Sequence, residues 1–186
     1  GLSQNYVLYL GGFHHRKNVH RLLEAWTWAA DAIGEEYPLV VAGQLPTHAD
    51  GRLFHDLPML ANRLGVADTV RFIGPVKEED KPALYQGAAC FVFPSIYEGF
   101  GLPPLEAMAC NTPVITSARS SLSEVVGDAA YLVDDPEDVR ALGAAIIGLV
   151  VDEALADDLR ERALRQVRRF SWERTASKTV EVYRKA

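Results

Sequence analysis

Cysteine is scarce, with two among 186 residues, Cys90 and Cys110. Two cysteines build no disulfide framework and no cysteine metal site, so both read as small core residues of a protein kept in a reducing compartment. Basic charge is not in excess either. Nineteen Lys and Arg stand against twenty-five Asp and Glu, a net charge of −6 that argues against a nucleic-acid surface, which shows a basic face. No apolar run approaches the roughly 18–20 residues of a membrane span, and the start of the chain carries no signal-peptide pattern. The opening Gly1-Leu2-Ser3 reads as a cloning remnant. Internal repeats, low-complexity tracts and flexible linkers are also missing. The reading is a soluble, cytoplasmic protein, with peripheral membrane association left open.

What is present is 48% hydrophobic residues over a length that buries one substantial core. Short apolar runs alternate with helical periodicity. Strands are expected at Tyr6–Leu10, Leu39–Ala42, Val70–Ile73, Ala89–Phe93, from Val114, and at Ala129–Val133. Between them Val19, Leu22, Leu23, Trp26, Ala29, Ala30 and Ile33 share one helical face, with Asn18 as the expected N-cap. Leu53–Leu64 reads as helical with a kink or late start at Pro58, and Glu78–Ala88 as a short helix. Closing helices are expected over Pro136–Val150 and Asp152–Arg169. This order predicts an α/β fold, a doubly wound parallel sheet in one domain.

The chemistry concentrates in Pro94-Ser-Ile-Tyr-Glu-Gly-Phe-Gly-Leu-Pro-Pro-Leu-Glu106. Gly99 and Gly101 allow a tight turn and close approach of a ligand, and Pro103 and Pro104 suit the first turn of a helix, where a missing N–H matters little. The unpaired N–H groups near Phe100, Gly101 and Leu102, with the positive end of the helix, suit a phosphate. Glu98 before the turn and Glu106 one helical turn later can each accept hydrogen bonds from hydroxyls flanking a diphosphate. Sugar, diphosphate and ribose in a row is the layout of a nucleotide sugar.

Glu98 and Glu106, set with seven residues between them inside Tyr-Glu-Gly-Phe-Gly-Leu-Pro-Pro-Leu-Glu-Ala-Met-Ala, resemble the signature of the family-4 (group 1) retaining glycosyltransferases of GT-B fold. Gly11-Gly12-Phe-His-His-Arg-Lys17 likewise resembles that family's diphosphate-gripping loop, with Lys17 at the position of its lysine. The resemblance implies Lys17 and Glu98 as catalytic residues. Arg16, Lys17, Gly101 and Leu102 would hold the donor diphosphate; Glu98, Phe100 and Gly101 the sugar; Glu106 the ribose; Pro75 and Val76 the base. It further implies that the chain is the C-terminal, donor-binding half, with the acceptor-binding half and its partner glycan site absent. Many members read Leu-Gly-Arg where this chain has Leu10-Gly11-Gly12, so one phosphate-clamping arginine is missing; Arg16 is the candidate replacement. Ser120-Ser-Leu-Ser-Glu124 resembles a stretch of mannosyltransferase-like members and is expected to cap a short helix. The segment around Trp172 and Tyr183 resembles the family's terminal helix, which adds a last helix capped by Ser171.

No metal is expected, and no cofactor beyond the nucleoside-diphosphate sugar itself. No Asp-x-Asp occurs, and the five histidines show no paired ligand spacing, so His14 and His15 read as loop residues. A dehydrogenase would need Gly-x-Gly-x-x-Gly after the first strand, which is not there. A nucleotide-sugar epimerase of GT-B shape and a non-catalytic nucleotide-binding module remain the alternatives. The arginines at 160, 162, 165, 168 and 169 complement the C-terminal dipole of their own helix and need no partner.

Overall fold

A computed structural model describes residues 4–48 and 50–185; the opening tripeptide lies outside them. Six parallel strands form one sheet in the order β3-β2-β1-β4-β5-β6. They are β1 (Tyr6–Leu10), β2 (Leu39–Ala42), β3 (Val70–Gly74), β4 (Ala88–Phe93), β5 (Val114–Ser117) and β6 (Tyr131–Val133). Eight α-helices accompany them among the described residues: α1 (Val19–Ile33), α2 (Leu57–Arg63), α3 (Lys81–Gln86), α4 (Leu102–Ala109), α5 (Leu122–Val126), α6 (Val139–Val151), α7 (Glu153–Val167) and α8 (Trp172–Lys185).

Every residue of β1, β2 and β5 is buried. Helices cover both faces of the sheet, which is why these strands read as unbroken apolar runs rather than alternating ones. α1 packs on α2 and α6, while α4 packs on α3, α5 and α7. Trp26 of α1 is fully buried, and its indole N–H donates to Thr69 Oγ1 at 3.0 Å, so the largest core side chain leaves no orphan donor.

The expected α/β sheet is observed, with shifts at element ends. The helix foreseen from Leu53 starts at Leu57 instead, where Asp56 accepts from Met59 N–H at 2.9 Å and Pro58 takes an early position. The short helix foreseen from Glu78 divides into a 3-10 turn, Glu78–Asp80, and α3. Asn18 precedes α1 but does not cap it through its side chain. Its backbone is left-handed (φ 60°), and its amide instead donates across the domain to Pro136 O at 2.8 Å. Ser171 does cap α8, accepting from Arg174 N–H at 3.2 Å. The α7 arginines pair within the helix, Arg160 with Asp157 at 2.6 Å and Arg162 with Asp158 at 2.5 Å. Both cysteines are free, and burial pushes the Cys90 thiol up to about 12.

The strand order reverses between β1 and β4, the switch point beyond whose strand carboxyl ends ligands of doubly wound sheets bind. Lys17 follows β1 and Glu98 follows β4. Among the described residues no helix is long and apolar enough to cross a membrane.

Candidate functional site

The loop after β1 is pinned from beneath. Tyr9, fully buried in β1, donates its hydroxyl to Gly12 O at 2.5 Å, and a 3-10 turn over His15–Lys17 follows. Backbone also joins this loop to the one after β4, since Ile96 N–H donates to Arg16 O at 2.8 Å. The two loops therefore present their side chains to one another. Lys17 Nζ lies 2.6 Å from Glu98 Oε1, and Arg16 donates both to Glu98 Oε2 at 3.2 Å and to Tyr97 O at 2.9 Å. The ammonium also sits 5.1 Å from the centre of the Phe93 ring, an attraction worth about 0.5–2 kcal/mol. With side chains 16% and 10% exposed, Lys17 and Glu98 are largely withdrawn from water, whereas Arg16 at 45% is open to it.

Burial by itself pushes the Glu98 carboxyl up, but hydrogen bonds and charge from Lys17, aided by Arg16, override it and hold the carboxyl below its ordinary 4.5. Burial and then the Glu98 charge push the Tyr9 phenol upward. A depressed carboxylate stabilises the fold above its unfolded pKa, and that contribution disappears as pH falls through the folded value. Glu98→Gln is thus expected to be less stable than the parent at pH 7 and to lose less stability between about pH 5 and 3. Urea midpoints at several pH values measure this; parallel acid losses in both proteins would contradict it.

Two serines after β5 hold the glutamate loop in shape, a role that the sequence did not disclose. Ser120 Oγ accepts from Glu98 N–H at 2.9 Å, and Ser121 Oγ lies 2.9 Å from Glu98 O and 2.8 Å from Phe100 O. Neither serine caps α5 through its side chain, contrary to expectation, because their hydroxyls are engaged by this loop instead. Only their position directly after a strand could have suggested it. Gly101 is buried with φ 116°, and a Cβ there would come within 2.8 Å of Leu122 Cδ2. Glycine is what lets α4 begin at Leu102, with Pro103 and Pro104 in its first turn. The side chains of Phe100 and Leu102 stand largely exposed beside it.

The remaining predicted residues lie apart in their contacts. Glu106, half-buried on α4, accepts from the Tyr85 hydroxyl at 3.0 Å and lines a hollow with Glu78, Lys81 and Cys110. Burial and then the Glu106 charge push the Tyr85 phenol upward. Pro75 is exposed, and Val76 packs on the core after β3. Among the described residues no hydrogen bond links Glu106, Pro75 or Val76 to Lys17, Arg16 or Glu98. The structure thus joins the two loops of the switch point directly and leaves Glu106, Pro75 and Val76 without a hydrogen bond to them.

Three of the histidines meet in a way that their spacing does not show. His15, His20 and His55, unpaired by spacing, come together so that one ring nitrogen from each lies within 4.8 Å of the others. The cause is tertiary: the segment before α2 folds back on the β1 loop, with His15 N–H donating to Leu53 O at 2.7 Å.

Comparison with known proteins agrees with this architecture. The family described as glycosyl transferases group 1 matches residues 2–166. The O-antigen chain mannosyltransferase B of Escherichia coli is 41% identical over 181 residues, covering 97% of this chain and 46% of its own length. A sucrose-phosphate synthase structure from Thermosynechococcus elongatus superposes with a TM-score of 0.84 at 32% identity, covering 98% of this chain and 45% of that one. The C-terminal domain of a group 1 glycosyl transferase from Francisella tularensis, 23% identical, shares the fold with a TM-score of 0.76 over 89% of this chain and 86% of that one. This chain spans less than half the length of the curated relatives it matches. With a Rossmann-like sheet that matches the C-terminal domains of GT-B enzymes and a family match over most of its length, the chain belongs to the group 1 glycosyltransferases.

Proposed function

We propose that this chain is the donor-binding half of a retaining glycosyltransferase that transfers a hexose from a nucleoside-diphosphate sugar to an acceptor hydroxyl, the acceptor site lying on a second domain. The observation that carries this reading is the Arg16–Lys17–Glu98 cluster at the sheet's switch point, beside the N-terminus of α4. Two cations against one carboxylate leave a net positive charge, and the helix end adds to it. A diphosphate is the ligand that this charge pattern suits. The 41% identity to a mannosyltransferase favours mannose as the sugar, in keeping with the Ser120–Glu124 stretch.

In this reading Lys17 and Arg16 turn from Glu98 to the arriving diphosphate, and Arg16 stands in for the arginine missing at Gly12. Breaking the bond from the anomeric carbon to the phosphate oxygen leaves negative charge on the departing nucleoside diphosphate. Lys17, Arg16 and the amides at Gly101 and Leu102 stabilise that charge, which is where a preorganised cationic site lowers a barrier. Glu98 and the Phe100 and Gly101 backbone position the sugar hydroxyls. A lone carboxylate there does not make the acid–base pair of a hydrolase. Glu106 accepts from the ribose, and Pro75 and Val76 border the base.

A thermal-shift series with GDP-mannose, UDP-glucose and ADP-glucose tests this, run with a chelator present. A donor that binds only the folded state raises the melting point, by about 5–10 °C at a hundred times its dissociation constant. GDP-mannose is expected to give the largest shift, while the isolated chain transfers no labelled sugar. Absence of any shift at millimolar donor, or steady transfer by the chain alone, would count against the proposal.

A further inference from the structure

Three imidazoles meet outside the cluster that carries the proposed reaction. His15 opens the turn that bears Arg16 and Lys17, His20 is buried near the start of α1, and His55 directly precedes the Asp56 cap of α2. Their rings sit face to face, with centroids 4.2 Å apart for His20 and His55 and 4.8 Å for His15 and His20. His15 Nδ1 and His55 Nε2 are 3.1 Å apart, and the three ligand nitrogens all lie within 4.8 Å of one another. In a tetrahedral zinc site, with Zn–N near 2.0–2.1 Å, ligand nitrogens stand about 3.3 Å apart. The separation seen here is therefore within reach of ring rotation.

Among the described residues no carboxylate is hydrogen-bonded to these rings, whose nitrogens bond only to one another, His15 to His55. The carboxylates nearby are otherwise engaged: Glu24 pairs with Arg21 at 2.6 Å, and Asp50 accepts from the N–H groups of Arg52, Leu53 and Phe54. Burial, then the neighbouring His55 and His15, lowers the His20 imidazole to about 4, and burial with His15 lowers His55. Neutral imidazole is the form that binds zinc-class ions.

We propose that His15, His20 and His55 bind one divalent transition ion of the zinc class, with water completing its shell. The ion ties the segment before α2 to the turn that presents Arg16 and Lys17. That contact already exists in the backbone, through the His15–Leu53 hydrogen bond and an antiparallel bridge between His14 and Phe54. The ion braces a loop and takes no part in bond making, so the site stands whether or not the chain binds a sugar nucleotide.

The test titrates zinc chloride into the chain, purified without a histidine tag and free of nucleotide, against a chromophoric chelator. One zinc per chain is expected, with a melting point about 5–10 °C higher at saturation. His15→Ala and His55→Ala, each verified by circular dichroism, are expected to weaken binding at least tenfold. Imidazole NMR of the unsubstituted chain supplies a reading that needs no variant: zinc shifts the resonances of His15, His20 and His55 and leaves those of His48 in place. Less than about a tenth of an equivalent bound at micromolar zinc, undiminished affinity in both variants, or unmoved histidine resonances overturns the proposal and leaves the three rings as a packing cluster.

Discussion

Lys17→Ala in the enzyme that carries this domain together with its acceptor-binding half is expected to lower turnover about 10²–10³-fold, the loss typical of removing one preorganised stabiliser of developing charge. Lys17 Nζ sits 2.6 Å from Glu98 with little exposure to water, so its charge acts in a medium where it is weakly screened. The demand on that charge rises as the anomeric bond breaks. The loss should therefore fall mainly on kcat, with a smaller change in KM. Stability is expected to change far less, by about 1–2 kcal/mol, because Arg16 still faces Glu98 at 3.2 Å. Lys17→Met keeps an apolar side chain of similar length beside Phe93, whose ring the ammonium faces, and should lose as much activity as Lys17→Ala, which separates charge from packing. Steady-state kinetics of both variants decide the matter; turnover within a factor of about two of the parent would remove Lys17 from the mechanism.

Gly43→Ala is expected to destabilise the domain by about 2–5 kcal/mol, adding the strain of an unfavourable backbone conformation to that of overpacking. Gly43 directly follows β2 with φ 141°, and a Cβ there would lie 2.1 Å from Gly11 O and 3.0 Å from the Phe13 ring. The first of these is backbone and cannot swing aside. Gly43 N–H also donates to Gly74 O at 2.8 Å, so displacement would disturb the loops after β1, β2 and β3 together. Gly148→Ala in α6, where nothing lies within 4 Å of an added Cβ, supplies the contrast. It is expected to be neutral or stabilising by up to about 1 kcal/mol through helix propensity. Urea unfolding of the two variants should give shifts of opposite sign or widely different size. Equal midpoints would show that the Gly11–Gly43 approach relaxes freely.

Particular residues show why part of this protein was legible in its sequence. The apolar runs of β1, β2 and β4 could be read because strands covered on both faces carry no alternation. The start of α4 could be read because prolines fit a first helical turn and glycine fits the left-handed residue before it, both local requirements. Helix ends were less legible where side chains found distant partners. Asn18 had the identity of a cap but bonds to Pro136, and Ser120 and Ser121 had the identity of caps but hold the Glu98 loop. A hydroxyl or amide satisfies whichever partner the fold brings near, and local sequence carries no record of that choice.

The chain by itself determined its alternation of strands and helices, the glycine-proline turn and the family signature, because each depends on neighbours within a few residues. Tertiary structure alone decided that Lys17 and Glu98, 81 positions apart, share a hydrogen bond, and that His15 and His55, 40 positions apart, face each other. Those meetings follow from strand order and from how a loop folds back, and both are settled by burying one common core rather than by any local preference.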